Sequence, residues 1–308
     1  MKPRDESKNY LSYIEYGFVP NVLLLGNGIN RSFTGESWSE ILKPSTSERK
    51  FTDAETERIK SMPFPLQAVA LSYDKVDETA DCIGEQLLNI EVGLKQREII
   101  SGLVLNGYDA ILTTNYSYEI EKSLCPGFSC KKKCKCGSRH RTRQGSSVEE
   151  QYGFFRYYCF DDIDAGSIWH IHGEAALPSS IILGHYYYGK LLSYIQNYAA
   201  GTVSYYKQCN SQHRAFIPHS WIDYFLVGNV TIIGCGLDLS EMDLWWLINC
   251  KKRNFSPIND SKVHWIEPNL DDEKNFTKRI LAEAYGIEIT TEAVKSNDAY
   301  VDYYESLI

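Results

Sequence analysis

No stretch of the sequence approaches the ~20 consecutive apolar residues that a membrane-spanning helix requires. The polar start, Met1-Lys2-Pro3-Arg4-Asp5, has no apolar signal core behind it. Neither export nor membrane insertion is expected, and the cytoplasm is the expected location. Cysteines number nine, an odd count without framework spacing, so reduced thiols are expected rather than a disulfide scaffold. Basic charge is in deficit: 32 Lys and Arg stand against 40 Asp and Glu, a formal charge of −8, which argues against a general nucleic-acid coat. Internal repeats and long linkers are missing too, so nothing forces two independent domains. What is present is an ordinary globular composition. With 308 residues, 43% hydrophobic and 23% charged, the chain can bury a core without metal or disulfide staples.

One segment reverses the charge. Residues 131–143 carry seven Lys and Arg, with no acid until Glu149. Having no apolar periodicity, they read as a solvated insertion loop, or as an electrostatic site for phosphates, nucleic acid or an acidic partner face. Cys125, Cys130, Cys134 and Cys136 lie in or beside it, with His140. Their intervals of four, three and one residues do not match the Cys-x2-Cys pairing of zinc knuckles, so zinc is expected to be absent or dispensable. The flanking lysines would lower the thiol pKa values and favour oxidation instead.

The rest of the chain alternates between strand and helix signals. Asn21-Val22-Leu23-Leu24-Leu25 is an apolar run ending at Gly26, and Ala110-Ile111-Leu112-Thr113 is a second. Between them, Leu87, Leu88, Leu94, Ile99 and Leu103 predict a helix over 85–104. Further strands are expected at residues 168–171, 181–183, 230–233 and 263–266, with helices around Trp221–Leu226, after Gly236, and over 276–285. This order predicts an α/β fold: a Rossmann-like parallel sheet with helices on both faces and a small inserted segment near 124–166. The expected layout is an N-terminal extension over 1–20, one domain over 21–290 and a tail over 291–308.

An open parallel sheet places its ligand crevice at the carboxyl ends of the strands, and four short motifs fall there. Gly26-Asn27-Gly28-Ile29-Asn30 lets backbone approach a phosphate closely, although Arg31 stands where the dinucleotide fingerprint has its third glycine. A tight strand-to-helix turn would use the same glycines. Thr114-Asn115 puts a carboxamide at a strand end, suited to holding a ribose hydroxyl or a water, or to capping the next helix. His172-Gly173 offers a histidine for acid–base work near neutral pH, or a structural one. Gly234-Cys235-Gly236 is followed by Asp238 and Asp243, and again fits either a nucleotide or a plain turn.

In this order the motifs resemble the SIR2-like domains of bacterial antiviral defence proteins, in the sirtuin superfamily, over about residues 21–289. The resemblance implies that NAD is the substrate. It makes Asn115 and His172 the catalytic residues. Gly26, Asn27, Gly28 and Asn30 would contact the pyrophosphate and ribose, beside Thr114. Gly234, Gly236 and Asp243 would form a second nucleotide loop, and Glu267 would contact the adenosine ribose. Two departures bear on the chemistry. The sirtuin Cys-x2-Cys pairs are missing after the catalytic histidine, where only the isolated Cys209, Cys235 and Cys250 occur. The family's asparagine is commonly followed by Tyr-Asp, whereas this chain reads Asn115-Tyr116-Ser117. Without a zinc module, the resemblance favours an NAD+ glycohydrolase releasing nicotinamide and ADP-ribose as an antiphage, abortive-infection effector. The alternatives are a non-catalytic subunit that senses NAD or another nucleotide, and an NAD-dependent deacylase or ADP-ribosyltransferase.

Many such effectors carry an appended sensor, whereas here the sequence stops soon after the core. Activation is therefore expected from self-assembly or from a separate partner such as a translocase-type ATPase, with residues 131–143 as a candidate contact. A homo-oligomer is expected, since 22 Tyr, 12 Phe and 6 Trp exceed the obvious needs of one core. Tyr186, Tyr187, Tyr188, Tyr300, Tyr303 and Tyr304 are candidate contacts, or pack within the chain.

Overall fold

The computed structural model describes residues 13–34, 41–42, 51–73, 75–130, 138–142, 153–160 and 163–308. Eight strands form one sheet: β1 (Asn21–Leu25), β2 (Ala110–Thr113), β3 (Ser138–Thr142), β4 (Arg156–Phe160), β5 (Ser167–His170), β6 (Asn229–Ile233), β7 (Val263–Ile266) and β8 (Glu288–Thr290). Their spatial order is β3-β4-β5-β2-β1-β6-β7-β8. Six run parallel, and β3 and β4 add an antiparallel edge. Counted alone, the parallel strands follow the doubly wound 3-2-1-4-5-6 order. The chain winds outward from β1 to β5, then returns to the other side of β1 at β6, which opens the ligand crevice of such folds at the β1 and β6 carboxyl ends.

The α/β architecture follows from strands apolar on both faces. Val22 and Leu24 enter one core, Leu23 and Leu25 the other, and all four are buried. Alternation at period two in an unbroken apolar run needs helices on both sides. In chain order these are α1 (Gly28–Thr34), α2 (Asp53–Lys60), α3 (Phe64–Ser72), α4 (Val76–Leu88), α5 (Leu94–Val104), α6 (Glu119–Leu124), α7 (Gly184–Ser211), α8 (Trp221–Val227), α9 (Met242–Asn254), α10 (Ser256–Asn259), α11 (Phe276–Tyr285) and α12 (Asn297–Glu305). Local signals set several ends. Thr52 and Glu55 form a capping box on α2, Ser220 and Asp223 another on α8, and Gly286 ends α11 with φ +72°.

Several expectations are corrected. The helix over 85–104 is two helices, broken after Leu88 around Gly93. Residues 181–183 are no strand; Ile182 donates its amide to the His172 carbonyl at 2.8 Å, and α7 starts directly afterwards. That 28-residue helix went unforeseen because Gly189 and Gly201 interrupt a tyrosine-rich stretch. Its buried Leu191, Ile195, Ala199, Thr202, Tyr206 and Cys209 nevertheless recur every three or four residues. The inserted segment is part of the sheet, since it supplies β3 and β4. Within the expected tail over 291–308, α12 buries Tyr303 and Tyr304 in the core. Cys125 is disulfide-bonded, which corrects the expectation that all the thiols are reduced. Most of the basic island, with Cys134 and Cys136, also lies outside the described residues. Among the described residues no helix is long and apolar enough to cross a membrane, and no group of three or more His, Cys, Asp or Glu could hold a metal ion.

Candidate active site

A cavity of about 290 Å³ opens at the carboxyl ends of the central strands. Each strand contributes through the turn that follows it. After β1 the chain passes Gly26, whose amide donates to the Ile233 carbonyl at 3.0 Å, and then Gly28, whose amide donates to the Gly234 carbonyl at 2.7 Å. The two glycine loops are therefore docked on one another. A side chain on Gly26 would collide with Gly234 and Cys235, and one on Gly28 with the Tyr304 hydroxyl of α12. Gly236 differs: a Cβ there meets no atom within 4 Å. Backbone approach to a ligand is consequently open at Gly236, while Gly26 and the Gly28 amide are committed inside the protein.

Asn27, Gly28, Asn30 and Arg31 line the cavity on the β1 side. The buried Gln96 of α5 donates to Asn30 Oδ1 at 2.9 Å, and Asn30 Nδ2 donates to Asn27 Oδ1 at 3.0 Å. This amide chain fixes the loop from beneath. Nothing in the sequence marks Gln96, because its partner is 66 residues away.

Thr114 and Asn115 follow β2 and also line the cavity. Thr113 bridges the two strands, donating its hydroxyl to the Leu25 carbonyl at 2.8 Å and accepting the Asn115 amide at 3.1 Å. The Asn115 side chain donates to the Gly26 carbonyl at 3.4 Å. His172 follows β5, held by an amide from Ile171 to Thr113 at 2.9 Å. Gly173 must be glycine, since its φ is +97° and a Cβ would strike the Ser180 carbonyl.

His172 lies on the wall of the cavity and its Nε2 is 2.8 Å from Asp243 Oδ2. Burial opposes charge on the ring, but the Asp243 carboxylate outweighs it and raises the pKa above the ordinary histidine value. Asp243 itself does not line the cavity; buried at the start of α9, it stands behind His172 rather than with the expected ligand contacts. Glu241 does line it, and sequence reasoning missed this residue. Burial pushes its carboxyl up to about 7, against the pull of His172. Glu267, just past β7, is likewise pushed up by burial to about 7, and its buried Oε2 has no hydrogen-bond partner. An orphaned carboxylate oxygen beside a cavity is placed to accept from a ligand hydroxyl. Thus nine of the eleven expected site residues share one cavity, with Gly26 and Asp243 immediately behind its wall.

Three of the six expected contact tyrosines are buried or line the site. Tyr188 lines the cavity with its ring 5.6 Å from that of His172, while Tyr303 and Tyr304 are buried. Tyr186 stays 64% exposed. No family model and no curated protein matches the sequence.

Proposed function

We propose that the protein is an NAD+ glycohydrolase of SIR2-like type. The observation that carries this reading is the convergence of Asn115 and His172, from the ends of β2 and β5, on one cavity whose other walls are the glycine loops after β1 and β6. Asp243 gives His172 a charged partner, a pairing that suits a general base more than a ligand contact. The orphaned Glu267 oxygen suits a ribose hydroxyl, and the open position at Gly236 suits close backbone approach by a phosphate.

In this reaction the bond between ribose C1′ and the nicotinamide nitrogen breaks, and its electron pair leaves with the nitrogen. Nicotinamide therefore departs neutral and needs no acid. Positive charge remains on the sugar until water adds at C1′ and gives its proton to His172. Asn115 orients the water or the ribose, and the loops hold the dinucleotide so that the attack is effectively intramolecular. An antiphage role, a homo-oligomer and activation by self-assembly or a separate ATPase partner belong to the same proposal.

The test is nicotinamide release from NAD by the purified chain, measured beside acyl-peptide turnover. Asn115→Ala and His172→Ala should each lower turnover by about 10²–10⁴-fold while NAD affinity stays within a few-fold, because both groups act in the transition state. Wild-type protein that binds NAD but releases no nicotinamide would mark a sensor instead.

A further inference from the structure

Beneath the cavity lies a buried polar cluster that the proposed reaction does not use. His170, the last residue of β5, is 5% exposed and does not line the cavity. Its Nδ1 is 2.7 Å from the Asn115 carbonyl oxygen and its Nε2 is 2.9 Å from Glu121 Oε1. A carbonyl and a carboxylate are both acceptors, so both ring nitrogens are placed to donate. Two donating nitrogens define an imidazolium.

The surroundings fit a retained proton. Glu121 of α6 is fully buried; its Oε1 faces the His170 ring, and its Oε2 has no hydrogen-bond partner. Glu119, on the same helix, is also buried and accepts from Ser117 at 2.7 Å. From the turn after β5, Glu174 accepts from Arg156 of β4 at 2.8 Å and from the Tyr118 and Tyr158 hydroxyls at 2.6 and 2.5 Å. Both tyrosine rings meet the imidazole edge-on, with centroids 5.2 and 6.0 Å away. The ring is thus held from α6, β4 and the turn after β2. The backbone group it contacts is the carbonyl of Asn115, a residue that lines the cavity.

We infer that His170 is a positioning residue: as a buried imidazolium clamped by Glu121, it holds the backbone of Asn115 and thereby aims that side chain at the substrate. The inference rests on the hydrolase reading for its consequence but not for its protonation state. Burial favours the neutral ring, whereas Glu121 and then Glu174 favour the charged one and prevail, raising the pKa to about 9. Loss of that proton would leave Nε2 and Glu121 Oε1 facing each other as two acceptors.

The test has two arms on the full chain. In the first, nitrogen-15 spectra of labelled histidines should show both His170 nitrogens protonated at pH 7, assigned by their loss in His170→Gln; a neutral ring overturns the inference. In the second, His170→Gln should lower the kcat of nicotinamide release by about 10–100-fold with KM within about threefold, as expected for a displaced catalytic group. It should also move the Asn115 side-chain amide signals. Glu121→Gln should bring the alkaline loss of activity to lower pH, since the main charge holding the proton is gone. An unchanged kcat with unchanged Asn115 signals overturns the positioning role. If the wild type releases no nicotinamide, the hydrolase reading fails by itself, and the spectra still decide for or against the clamp.

Discussion

Asp243 and His172 show how one residue's chemistry is written by another far along the chain. Burial alone would lower the imidazole pKa, and the carboxylate 71 residues later reverses the sign. A base works in its neutral form, so the acid limb of kcat/KM should lie above pH 6.5, rising as His172 loses its proton. Asp243→Asn removes the charge that raises the pKa, so the limb should move to lower pH while the plateau rate falls by up to about 10²-fold. A pH series on the two proteins checks both; a limb that stays in place contradicts its assignment to His172.

At the scale of elements, the glycine loops divide labour in a way that substitutions can read. Gly236→Val projects into open space on the cavity wall, so it should weaken NAD binding by about tenfold or more with little loss of stability. Gly28→Val drives a side chain into Tyr304 and Gly234, so its main effect should be on folding, by about 1–3 kcal/mol or more. Calorimetric titration and chemical denaturation of both variants separate the outcomes; equal affinity losses at unchanged stability would contradict the assignment. The same elements show what was legible in the chain itself. β1, β2 and β7 sit where unbroken apolar runs placed them, and α11 spans the expected 276–285. The strand-end motifs were legible because a parallel sheet sends every such turn to one edge. The Asp243 role, Gln96, Glu241 and the His170 cluster were not, because each depends on residues tens of positions apart. α7 was hidden for a different reason: glycines and tyrosines dilute its apolar stripe, and tertiary burial rather than propensity makes it a helix.

Across the whole molecule, the cavity sits at the seam where the winding of the parallel strands reverses, between the half built from β1, β2 and β5 and the half built from β6, β7 and β8. A ligand lodged there bridges both halves and stabilises the entire fold by linkage. In His172→Ala, where turnover cannot deplete it, NAD at about 100 times its Kd should add about 2.7 kcal/mol. For a chain of this size that is a rise of about 4 °C in Tm, measurable by thermal scanning. A melting curve indifferent to NAD would mean that the dinucleotide does not occupy this seam. The buried tyrosines of α12 belong to the same picture, since they close the molecule over the β1 loop rather than offering themselves to a partner.

The seat of Tyr304 on Gly28 also orders events in time. During synthesis at about 5–20 residues per second, roughly 14–55 s separate the emergence of the first glycine loop from that of the helix that covers it. Throughout that interval the nascent chain carries the first glycine loop without the helix that covers it, and for most of it without the β6 loop as well. The cavity proposed for NAD cleavage is therefore not closed over Gly28 until α12 has been made.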